Sequence, residues 1–125
     1  PEQAPFATAM TPKQAKALRR MMAKTPRSGT LRRAWRKWPK ALRHIAVGGK
    51  TGSLAKRTPY TYYTWFVGFA PVEKPEIAVA VMVGNGELWW QRAADIGRDV
   101  MAWHFNRKLK AAKAAAGGKR ARGKR

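Results

Sequence analysis

The stretch that decides the fold runs from Ile45 to Val83: IAVGGKTGSL (45–54), AKRTPYT (55–61), YYTWFVGFA (62–70), PVEKP (71–75) and EIAVAVMV (76–83). The first segment reads as a strand of unusual glycine content, and glycines weaken a strand unless something must approach its backbone closely. Residues 55–61 are basic and contain Pro59, which predicts a loop. Tyr62 to Ala70 is aromatic and β-branched, a strand ended by Pro71. Val72-Glu73-Lys74-Pro75 is a short turn. Glu76 to Val83 is a nearly continuous apolar run, as expected of a central strand buried on two faces. Gly84-Asn85-Gly86 closes it with a turn. Connections this short join antiparallel neighbours, because a parallel crossover needs a dozen or more residues.

Helical signals lie on both sides. Upstream, Thr11-Pro12 is a helix start with Thr as N-cap and Pro at the first position. Ala15, Leu18, Met21 and Met22 follow at helical spacing, until Thr25-Pro26 through Gly29 is expected to break the helix. Leu31, Ala34, Trp35 and Trp38 predict a short second helix that Pro39 ends or kinks. Downstream, a helix from Ala93 to about Phe105 places Ile96, Val100 and Trp103 on one face. The reading is an α+β fold: a three-stranded antiparallel sheet packed with helices. From Lys108 onward the chain is Ala/Lys-rich and then Gly/Lys/Arg-rich, a basic low-complexity tail expected to fray into disorder.

The 125 residues suit one domain with a modest core, and 45% hydrophobic residues with six Trp argue against wholesale disorder. With no cysteine, a disulfide framework, a thiolate zinc site and a cysteine nucleophile are excluded. No metal or cofactor is expected. No run reaches the roughly 18 apolar residues of a membrane span, and Pro1-Glu2-Gln3 does not open a signal peptide. The absence of an initiator Met suggests a piece of something longer. The net charge of +21 is unevenly placed. Residues 11–43 hold twelve Lys/Arg and no acid, residues 107–125 hold nine and no acid, and the remainder is neutral.

Gly49-Lys50-Thr51 is not a phosphate loop. The glycine required five positions earlier is His44, and a loop and strand follow where a helix should. Lys50-Thr51-Gly52-Ser53 instead resembles the Lys-Thr-Gly box of penicillin-binding proteins and serine β-lactamases. Three letters alone say little; the series that follows carries the weight. Trp65-Phe66-Val67-Gly68-Phe69-Ala70-Pro71 and then Pro75-Glu76-Ile77-Ala78-Val79-Ala80-Val81 come in the order and spacing of penicillin-binding transpeptidases. Gly29-Thr30 after a Met-rich helix and the closing helix from Ala93 to Phe105 look like the same family. The resemblance implies that residues 1–107 are the C-terminal portion of a β-lactamase/transpeptidase-like domain, with 108–125 as the basic tail.

In that family this strand walls the active-site cleft. The resemblance implies that Lys50 supplies an ammonium for the substrate's carboxylate, and that Thr51 and Ser53 offer hydroxyls to it. Gly52 leaves room for substrate, and the Ser53 backbone N–H forms half an oxyanion hole. The implied ligands are a peptidoglycan stem peptide or a β-lactam, the implied place is the cell envelope, and the implied partner is the rest of the domain. That remainder is needed because the family's Ser-x-x-Lys nucleophile and Ser-x-Asn loop are not here. Ser28 fits neither motif. Ser53-Leu54-Ala55-Lys56 spells Ser-x-x-Lys, but residues three apart on a strand face opposite sides. The chain is therefore expected to be inactive alone.

Other candidates read as structure. His44 is expected at the surface, and His104, between Trp103 and Phe105, in packing. Asp95 and Asp99 with Arg92 and Arg98 read as helix-surface pairing, and Trp89-Trp90 as packing before the last helix. The cationic flanks suggest the main rival function, a nucleic-acid-binding protein. More generally they suit non-specific polyanions.

Overall fold

A computed structural model describes residues 7–88 and 91–122 of the chain. Helix α1 spans Pro12–Ser28 and α2 spans Arg32–Trp35; a 3₁₀ turn at Lys40–Leu42 follows. Strands β1 (Gly48–Arg57), β2 (Tyr60–Ala70) and β3 (Ile77–Asn85) form an antiparallel sheet in the order β1-β2-β3. Helix α3 (Ala93–Arg122) closes the described chain. The α+β architecture of three antiparallel strands with helices is the one expected.

The sheet has two unlike faces. Thr64, Phe66, Gly68 and Ala70 of β2 are buried on the face toward α2 and α3. The register puts Thr51 opposite Phe66, and Phe66 opposite Val81, on that same face. Phe66 is fully buried, which contributes about 1.5–3 kcal/mol. It meets Trp35 with ring centroids 5.5 Å apart, and Trp35 stacks on Trp38 at 6.1 Å. Leu31, Leu42, Met101 and Phe105 complete the core. On the opposite face Trp65 and Val67 are exposed.

Helix α1 starts as expected. Thr11 and Gln14 form a reciprocal capping box, with Pro12 at the first position. It does not break at Thr25-Pro26, however, but runs on to Ser28. Pro26 lacks the N–H that would pair with the Met22 carbonyl. The Thr25 hydroxyl lies 2.9 Å from that carbonyl and can donate to it instead. The same hydroxyl is 2.6 Å from the Gly49 carbonyl, so it ties α1 to β1.

Four further expectations are corrected. Residues 55–61 are not a loop: Ala55, Lys56 and Arg57 pair with Tyr62, Thr61 and Tyr60, and only Thr58-Pro59 turn the chain. Their basic side chains are exposed, so polarity there marks a solvated hairpin rather than a lack of strand. The apolar run of β3 is an edge strand, not a central one. Ile77, Val79, Val81 and Val83 are half-buried while Ala78, Ala80 and Met82 are exposed.

On α3 the buried side is Ala94, Met101, Ala102 and Phe105. Val100 and Trp103 are exposed, and Arg107 covers the Trp103 ring at 4.8 Å. Nor does α3 end near Phe105. Ala, Lys, Arg and Leu from residue 107 on are strong helix formers, and cations near a helix C-terminus oppose its dipole favourably. Lys108 also pairs with Glu76, which holds that carboxyl below its ordinary pKa.

Candidate functional site

The Lys-Thr-Gly segment lies within β1, at the sheet edge opposite β3. Gly48 and Gly49 are buried, Thr51 is half-buried, and residues 52–57 are exposed. Because the Gly49 carbonyl accepts from α1, it points away from β2. In an antiparallel pair alternate residues turn their backbone groups the same way. The N–H and C=O of Thr51 and Ser53 therefore face the free edge.

Side chains alternate across the strand. Lys50 and Gly52 sit opposite Val67 and Trp65, on the exposed sheet face, whereas Thr51 and Ser53 sit opposite Phe66 and Thr64, on the helix face. The sequence-predicted residues thus divide between two sides of one edge strand. The Lys50 ammonium curls back to the Thr51 carbonyl, which brings the cation to the free edge. The Thr51 hydroxyl lies 2.8 Å from the Thr30 hydroxyl. A cavity of about 490 Å³ is lined by Thr51, Gly52 and Ser53 of β1, by Thr30, Arg33 and Lys37, and by Arg92 and Asp95.

Thr30 had a signal in the Gly29-Thr30 pair. Arg33 and Lys37 did not stand out, because they are two of twelve cations in an acid-free run. Their one distinguishing feature is a four-residue spacing out of phase with Leu31 and Trp38, the buried residues that flank α2.

Ser28 closes α1 with its hydroxyl 3.4 Å from the Lys24 carbonyl, and Ser53 and Lys56 fall on opposite faces of β1. Among the described residues neither serine has a side-chain base within hydrogen-bond range. Gly49-Lys50-Thr51 lies inside a strand with no helix after it, so no phosphate cradle forms. His44 is exposed. His104 is half-buried, edge-on to Phe105 at 5.0 Å. Trp89 and Trp90 lie outside the described residues.

The Asp95–Arg98–Asp99 cluster departs from a plain surface pairing, because Arg98 is buried. It donates to Asp95 and Asp99 at 2.8 Å each and to the Ala34 carbonyl at 2.9 Å. Burial pulls its pKa down, but Asp99 and then Asp95 outweigh that and hold it above the ordinary guanidinium value. Arg98 is thereby a tie between α3 and α2. Among the described residues no cluster of His, Asp and Glu could hold a metal ion, and no helix is long and apolar enough to cross a membrane.

The family model of the penicillin binding protein transpeptidase domain matches residues 2–102. No curated protein matches the chain at a significant level.

Proposed function

This chain belongs to the penicillin-binding protein transpeptidase family, and from that premise we propose that it is the substrate-binding portion of a D,D-transpeptidase domain. The parent reaction is acyl transfer through an acyl-serine enzyme that cross-links peptidoglycan peptides in the cell envelope. β1 supplies one wall of the cleft. Lys50 favours the substrate's carboxylate from the free edge, Thr51 and Ser53 offer their hydroxyls, and the Ser53 N–H is half of the oxyanion hole. The nucleophile and its lysine base come from outside these 125 residues, in a segment that completes the domain.

The observation that carries this reading is the exposed edge of β1 at Lys50-Thr51-Gly52-Ser53. Backbone donors, two hydroxyls and an ammonium meet there on a strand whose outer side is unpaired beyond Gly49. An open edge is a liability in a folded protein and is normally blunted or covered. A substrate that lies along it turns the exposed backbone groups into a binding surface.

The experiment is acylation of a longer protein that carries this domain with an upstream Ser-x-x-Lys. Lys50→Ala should slow acylation by a labelled penicillin about 10²-fold, the range for losing a preorganised charged donor. Replacing Lys24 with Ala, on exposed α1 surface, should leave the rate unchanged. Equal rates for Lys50→Ala and the unmodified protein would remove the assignment of this strand.

A further inference from the structure

Helix α2 is short but firmly held. Leu31 before it is fully buried, Trp35 is clamped between Trp38 and Phe66, and the Ala34 carbonyl accepts from buried Arg98. This anchoring fixes the direction of the residues that face away from the core. Arg33 and Lys37, one helical turn apart, line the same cavity as Thr51 and Ser53. Among the described residues neither cation has an ion-pair partner. The carboxylate that lines this cavity, Asp95, is already held by Arg98 at 2.8 Å.

The result is two cations without ion-pair partners in the same cavity as the Thr51 and Ser53 hydroxyls. Lys50 cannot fill that role by itself, because its stem leaves β1 on the other sheet face. A carboxylate seated against the Thr51 and Ser53 hydroxyls meets Lys50 only from the strand edge, whereas Arg33 and Lys37 line the cavity that holds those hydroxyls. Arg33 can engage both carboxylate oxygens with its planar fork, and Lys37 adds a mobile point charge. The cavity's volume lies within the range of small-molecule sites, about 300–1,000 Å³.

We propose that Arg33 and Lys37 are specificity-determining residues that hold the carboxylate of the stem peptide or β-lactam against the Thr51 and Ser53 hydroxyls. The inference rests on the reading of β1 as the substrate wall and extends it to a second element. It also assigns the cationic run before β1 a defined task at two of its twelve positions. The remaining cations of that run stay a general field.

The test uses the 125-residue chain with two probes, benzylpenicillin and its methyl ester, which differ only in the carboxylate. Binding is followed by amide chemical shifts. The unmodified chain should bind the acid more tightly than the ester, with shifts at Thr51 to Ser53. The Arg33→Gln/Lys37→Gln variant should lose roughly fivefold in affinity for the acid, as two partly exposed pairs of about 0.5 kcal/mol each would give. Its preference over the ester should shrink by the same factor. Arg36→Gln/Lys40→Gln removes the same charge from outside this cavity and should leave the preference intact.

If neither probe shifts any amide, the substrate-wall reading falls and this inference with it. If the acid preference is undiminished in Arg33→Gln/Lys37→Gln but falls with Lys50→Ala, the wall reading stands and this inference alone is overturned. An equal loss in the Arg36→Gln/Lys40→Gln variant would mean that net charge acts without any assigned residue, and would overturn it too.

Discussion

Glycines separate packing from function one residue at a time. No described glycine has a positive φ, so the glycines of the strands and helices are read by the space around them rather than by backbone conformation. A Cβ at Gly49 would stand 2.7 Å from the Phe66 ring and 3.0 Å from Leu31; at Gly97 it would overlap that ring outright. These positions exist to let Phe66 pack flat between sheet and helix. Gly52 is different, because a Cβ there meets its nearest neighbour, Trp65, at an ordinary 3.4 Å. Gly97→Ala should therefore cost about 1–3 kcal/mol by overpacking, read as a lower melting temperature. Gly52→Ala should change stability by no more than about 0.5 kcal/mol, as for an open surface site. If Gly52 serves a ligand, the same change should still slow acylation in the longer protein. A melting loss at Gly52 as large as that at Gly97 would return Gly52 to packing.

Element by element, the order and type of structure were legible, and the departures have local causes. The capping box at Thr11 and the three strand segments announced themselves through side-chain type and period. Periodicity could not show that a threonine hydroxyl can serve the carbonyl left open by Pro26, so the helix break was expected too early. Nor could it tell the edge from the centre, since β3 alternates Val or Ile with Ala or Met, all of them apolar. The site was legible as a motif on one strand. The proposed second wall was not, because a charge run hides which two of its cations line the cavity. Thr25→Val tests the first of these points. Losing the hydroxyl that ties α1 to β1 should cost about 1–2 kcal/mol and speed amide exchange in the last turn of α1. Unchanged exchange would mean the Thr25 contacts carry no stability.

At the scale of the whole molecule, the described residues leave part of one sheet face uncovered. Leu54, Trp65, Val67 and Met82 are 62%, 44%, 44% and 53% exposed on the face away from α2 and α3. Apolar surface of that kind marks a contact with another body, which agrees with a domain completed by a further segment. The isolated chain should therefore self-associate, and sedimentation should show a mass that rises with concentration. Trp65→Lys with Met82→Lys should shift the population toward monomer. A monomer at all concentrations, melting sharply, would argue that the face needs no cover. The +21 charge predicts DNA retention in low salt as well, but one that fades near physiological salt and is matched by heparin, as phosphate neutralisation without sequence reading requires.

The central claim is that these residues bind the acyl donor and another segment attacks it. The most direct measurement is peptide mapping of the adduct formed when the longer protein reacts with a labelled penicillin. The adduct should fall on a serine upstream of Pro1, and the 125-residue chain alone should keep its unmodified intact mass, since among the described residues neither Ser28 nor Ser53 has a base in reach. A stable acyl group on Ser53 would contradict the account.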